Sequence, residues 1–146
     1  MSLSRRIHRL AVLPVLAALL VVAAGPAAAV TGSVQVGPTA TSVAKGAAID
    51  VPLTITLTCD EGFTTGAVNV FVAQSRGNAL FTGDAQAIFP CTGETQTVVV
   101  RVVGGPFRGG PALVNATLLQ CQGAGADLTC FFTDITTSEE ILIRGA

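Results

Sequence analysis

The chain has 146 residues, half of them hydrophobic and only 12% charged, with a formal net charge of −1. So few cations argue against a nucleic-acid partner, because phosphate binding needs them clustered. There is no Trp or Tyr, and the one His and the one Met stand at positions 8 and 1. Past position 8, then, no Ser-His or Cys-His nucleophile pair and no histidine metal ligand can be assembled.

The first predicted element is a targeting segment. Arg5, Arg6, His8 and Arg9 make a positive start, and residues 10–24 are an apolar run of 15. That run falls short of the roughly 20 residues needed to span a bilayer. Gly25-Pro26 breaks it, and Ala27-Ala28-Ala29 supplies small residues for cleavage. This is the pattern of a secretory signal peptide over 1–29. No cysteine lies near the cut to take a lipid, and the last residues, ILIRGA, hold no apolar anchor. The expected mature chain, 30–146, has 117 residues, enough for one domain with a core. It keeps Lys45, Arg76, Arg101, Arg108 and Arg144 against nine carboxylates, hence a charge of −4.

Beyond the leader the chain reads as short strands between Gly, Pro and polar residues. Val34 and Val36 alternate in a first strand, and GPTATSVAKG follows as a turn. AAIDVPLTITLTC (47–59) places Ile49, Val51, Leu53, Ile55 and Leu57 on one face, the period-2 pattern of a half-buried strand. Pro52 lacks an N–H and puts that part of the strand at an edge or a bulge. Val68, Val70 and Val72 alternate next, QSRGN is a turn, and 79–89 is a weaker pair of short runs. QTVVVRVV (96–103) is a strong strand, and GGPFRGGP is a turn cluster with Phe107 plugging one end of the core. Ala112, Val114, Ala116 and Leu118 alternate before Cys121, QGAGAD is a loop, and 130–137 with 140–144 closes the domain. About seven strands without crossover helices predict an all-β, immunoglobulin-like antiparallel sandwich, with an antiparallel barrel as its rival.

Four cysteines in a short secreted chain imply two disulfides rather than a metal site, since there is no C-x-x-C. In a sandwich the second and fifth strands are antiparallel neighbours, and the last two form a hairpin. That topology brings Cys59 to Cys91 and Cys121 to Cys130. The competing pair is Cys59–Cys121, which has the spacing of an antibody-type bridge. The inward parity of Cys59 favours it, and the opposite parity of Cys121 opposes it.

GGPFRGGPALVNATLLQC, after CTGETQTVVVRV, resembles a group of small secreted actinobacterial proteins of unknown function. The resemblance implies a signal peptide, an immunoglobulin-like β-sandwich and paired cysteines, with no catalytic residue to carry over. A weaker likeness is to the enediyne-antibiotic carrier apoproteins, whose cysteine pairs, unlike Cys59 and Cys91, are close in sequence.

Little of the remaining sequence carries chemistry. GGPFRGGP lacks the Lys-Ser/Thr and the helix of a phosphate loop. Asn115-Ala116-Thr117 is an N-x-T sequon that reads as polar-face packing. Glu139 and Glu140 are adjacent on a strand and point apart, so they are no acid–base pair. In the expected topology Asp60, Glu61, Glu94 and Asp127 share one pole, an acidic tip suited to a cationic partner or to weakly held calcium. The sequence thus reads as a secreted, non-enzymatic binding or adhesion-type module needing no cofactor and, after cleavage, holding no membrane anchor. A small-molecule carrier is the alternative, and an enzyme comes last.

Overall fold

Alternating side chains form eight strands in the computed structural model, which describes residues 30–145. They are β1 (Thr31–Val36), β2 (Thr39–Val43), β3 (Ala48–Thr58), β4 (Thr65–Arg76), β5 (Ala79–Pro90), β6 (Gln96–Gly104), β7 (Gly110–Gln122) and β8 (Thr129–Arg144). Single 3-10 turns, Ala44–Gly46 and Gly125–Asp127, precede β3 and β8. The expected leader over 1–29 lies outside the described residues. The predicted turn GPTATSVAKG contains β2, and the two weak runs after QSRGN are one continuous strand, β5.

β3 is the spine of the core. Ile49, Val51, Leu53, Ile55 and Leu57 are all fully buried, while Thr54 and Thr58 face solvent. Val100 and Val102 of β6 are buried beside them, Val98 is half-buried, and Phe107 plugs one end as expected. β3 pairs with β6, β4 with β7, and β7 with β8, all antiparallel.

The sandwich expectation does not hold in full: the fold is all-β, but its sheet closes on itself. β3, β6, β5, β4, β7, β8 and β2 form a ring of hydrogen-bonded neighbours, with β1 added along β3. Two local devices close the ring. At one corner β5, paired along its whole length with β4, reaches β6 through Gly83–Gly104 and Asp84–Val103. A Cβ on Gly104 would run into the Thr82 carbonyl, and one on Gly83 would sit 2.6 Å from the Val103 oxygen. Only glycine lets these backbones meet, and Gly104 also has φ +151°.

At the other corner the first strand breaks. β1 pairs with the far half of β3, then Gly37-Pro38 shifts the chain, and β2 pairs with the near half. The shift lets β2 join β8 in parallel, and Leu142 N–H donates to the Pro38 carbonyl at 3.0 Å. Pro52 stands opposite the break. Its carbonyl accepts from Gly37 N–H at 2.8 Å, and no ladder donor is asked of it there. A proline that predicts an edge thus lies in a central strand, at the gap between its two neighbours.

Backbone closure is confined to the pole of these corners. Towards the other pole β5 and β6 share no ladder, nor do β1 and β8. The joins there are made by side chains and one covalent bond. Gln96 Nε2 donates to the Pro90 carbonyl at 2.7 Å, and Glu139 Oε2 accepts from Val36 N–H at 3.1 Å. Cys59–Cys91 ties the end of β3 to the end of β5. Cys121–Cys130 joins directly opposed residues of β7 and β8. Both expected pairings are present, and Cys59–Cys121 is not. Cys121 does face away from the main core, yet it is fully buried, in a small outer cluster with Ala67 and Leu119.

Gly104→Ala should cost about 1–3 kcal/mol in urea unfolding through its strained φ and the blocked approach. Gly109→Ala, whose nearest contact would be an ordinary 3.6 Å, should be close to neutral. Equal losses would mean that the corner does not depend on close approach. Removing one bridge as Cys59→Ala/Cys91→Ala should speed hydrogen exchange of the Cys91 and Gly93 amides, which donate to Thr64 and Leu57. The Gly104 amide, bonded to Ala47 at the closed pole, should stay protected. Uniform loss of protection would refute a pole held locally by this bond.

Candidate functional site

The loops of the bridged pole carry the acidic residues. β3–β4 holds Asp60 and Glu61, β5–β6 holds Glu94, and the 3-10 turn before β8 holds Asp127. Register sets these loops at one end: Thr65 lies opposite both Pro90 and Cys121, and Ile55 opposite Gln96. Asp60 is held firmly. Its N–H donates to Gln120 Oε1 at 3.0 Å, and Gln120 Nε2 donates to its Oδ2 at 2.9 Å. The other oxygen, Oδ1, is buried without a hydrogen-bond partner. Glu61, Glu94 and Asp127 are exposed. Among the described residues no three His, Cys, Asp or Glu side chains converge on a point where a metal could sit.

A different feature occupies the solvent side of β5, β4, β7 and β8. Strand alternation points Val68, Val70 and Val72 inwards and leaves Asn69 and Phe71 outside. Pairing then builds two rows across the sheet. One is Asp84–Phe71–Asn115–Ser138, and the next is Gln86–Asn69–Thr117–Thr136. Between β7 and β8 the register shifts after Thr117, so that Leu119 lies opposite Phe132. Thr133 Oγ1 bonds the Leu118 carbonyl at 2.8 Å and accepts from Ile135 N–H at 3.1 Å, which satisfies the bulge. Phe132 stands 73% exposed beside the rows. Asn69, Phe71, Asp84, Gln86, Asn115 and Thr117 line an open depression of about 540 Å³ with Phe132.

The polar chemistry of this depression is unspent. Thr117 and Thr136 bond each other at 3.0 Å. Asn69, Asn115, Gln86 and Asp84 make no side-chain hydrogen bond among the described residues, although Asn69 and Asn115 are half-buried. Half-buried amides keep their donors and acceptors for water or a ligand. The arrangement offers aromatic surface ringed by neutral hydrogen-bonding groups and one carboxylate. It contains no nucleophile–base pair.

Sequence reasoning singled out Asn115 and Thr117 as a sequon on a polar face, and that is the face they occupy. It passed over Asn69, Phe71, Asp84, Gln86 and Phe132. Not every phenylalanine serves the core as Phe107 does: Phe71, Phe131 and Phe132 are exposed. The strand parity of NVFV (69–72) does signal an outward Asn and Phe.

No protein-family model and no curated protein sequence matches the chain. Among solved structures it is similar to AggA, the major subunit of aggregative adherence fimbriae type I from Escherichia coli. The identity is 10%, over 80% of this chain and 95% of that one, with a TM-score of 0.38. A likeness at that level establishes neither family nor activity. The two resemblances drawn from sequence are carried by no matched family.

Of the cations, Arg101 on β6 is matched locally. Its Nε and Nη2 donate to Asp50 Oδ1 and Oδ2 at 2.8 and 2.9 Å, a fork across a directly opposed pair on β3. The hydrogen bonds from Arg101 hold the Asp50 carboxyl below the usual carboxylate range, outweighing a small opposing effect of burial. A depressed pKa contributes stability above the unfolded value and loses it as pH falls through the folded one. Asp50→Asn should therefore be less stable than wild type near neutrality, and the gap should close as pH drops below 3.8. Thermal midpoints across an acid series measure it, and a gap independent of pH would sink the assignment.

Proposed function

We propose that this chain is a secreted, non-enzymatic, disulfide-stabilised binding module with immunoglobulin-like strand order. Its ligand face is the solvent side of β5, β4, β7 and β8. The observation that carries this reading is the depression in which half-buried Asn69 and Asn115 make no internal hydrogen bond beside exposed aromatic rings. Two bridges fit an oxidising, extracytoplasmic setting and stiffen the scaffold. In the chain-entropy model the longer loop contributes about 3.5 kcal/mol and the shorter about 2.5. A carrier of apolar small molecules fits less well, because its ligand would bury these amides unpaired.

A second reading rests on the acidic pole, where Asp60, Glu61, Glu94 and Asp127 would meet a cationic partner. The exposed Glu61, Glu94 and Asp127 around a fixed Asp60 support it. Calcium is the narrower form, and the lack of three converging ligands among the described residues favours the partner instead.

Hydroxyl-radical footprinting of the protein on cell-envelope material of its source separates these readings. The first expects protection of Phe71 and Phe132, with Leu80 and Val103 unchanged. Protection confined to Phe63 and Phe131, which stack edge-to-face with centroids 5.8 Å apart near the acidic loops, would replace it with the second. Protection at neither place would reject both.

A further inference from the structure

Resting on that reading of the face, we infer that the depression binds a neutral saccharide. Sheet geometry sets its side chains on a lattice of about 4.8 Å across strands and about 6.8 Å along them. A sugar ring with its hydroxyls covers an area of that scale. The Asn69 and Asn115 amides each offer two donors and an acceptor, and Gln86 adds the same set from β5. Asp84 stands directly opposite Phe71 and presents a carboxylate that accepts from two hydroxyls. Phe71 is 42% exposed in the middle of its row and can offer a ring face. That face carries the negative lobe of the ring quadrupole and suits the weakly positive C–H face of a sugar.

The same residues reject other ligands. Among the described residues no Lys or Arg lines the depression, so an anionic ligand finds no counter-charge there. One carboxylate is too little to hold a polycation. An apolar ligand would strip water from three amides without replacing its hydrogen bonds. A neutral polyhydroxylated molecule meets the amides and the ring together. The depression opens to solvent, and a smaller one of about 210 Å³ follows on the same face at Ser75, Leu113 and Glu140. An oligosaccharide chain, rather than an enclosed monosaccharide, fits such a run.

The test is an array of neutral glucan, mannan and galactan oligosaccharides with sialylated and sulfated glycans beside them, hits being measured by calorimetry on the secreted protein. We expect a neutral oligosaccharide to bind, and Phe71→Ala and Asn69→Ala/Asn115→Ala each to weaken it at least tenfold. These positions are at the surface, so thermal midpoints should move little; Asn115→Leu, similar in bulk, guards against a change of shape and should weaken binding as well. Binding of anionic glycans alone, no glycan binding, or neutral binding indifferent to these variants would each overturn the inference. So would self-association through Phe71 and Phe132 seen in sedimentation. If envelope footprinting protects Phe71 while no glycan binds, the face stands and the saccharide falls. If neither occurs, both fall.

Discussion

A strand at the edge of a sheet leaves a row of backbone donors and acceptors unpaired, and the fold is organised around removing such edges. Seven strands do so by forming a ring. Closing a ring demands that a strand leave one neighbour for another within a few residues. Here two corners allow it: the Gly83–Gly104 approach and the Gly37-Pro38 break. Both lie where side chains are absent or a donor is missing. The valine-rich strands between them could not supply that approach.

Closure by backbone at one pole sets the problem at the other. Where the ladders between β5 and β6 and between β1 and β8 stop, the joins are Gln96 to Pro90, Glu139 to Val36, and the Cys59–Cys91 bond. The bridge thus takes the place of hydrogen bonds that the diverging strands do not make. It also anchors the β3–β4 and β5–β6 loops, while Cys121–Cys130 and the Asp60–Gln120 pair hold the β7–β8 side. The acidic loops therefore stand on a tied frame.

The rigid frame also explains the outer face. Inward valines at every second position oblige the residues between them to look outwards, whatever their chemistry. On β4 and β7 these are Asn69, Phe71, Asn115 and Thr117, and pairing sets them side by side. The bulge near Leu118 sets Phe132 opposite Leu119, and Phe132 stands exposed at their margin. The long ladders of β4 with β5 and β7 fix the backbone positions from which these side chains project.

The sequence by itself determined the all-β class, the inward set from Ile49 to Leu57, and the burial of Phe107. All of these depend on local alternation or on one large apolar side chain among turn residues. It also pointed to the cysteine partners, because the expected immunoglobulin-like strand order sets β3 beside β6 and β7 beside β8, while leaving Cys59–Cys121 as a rival that the structure removes. The outward parity of the N-x-T residues was legible for the same reason. Ring closure was not. Gly83 and Gly104 read as ordinary turn or weak-strand glycines until their strands meet, and β2 pairs with β8, distant in sequence, as well as with the adjacent β3. The depression was not legible either, since its rows pair residues as far as 48 positions apart, Asn69 lying directly opposite Thr117. Alternation says which way a side chain points; only register between distant strands says what stands beside it.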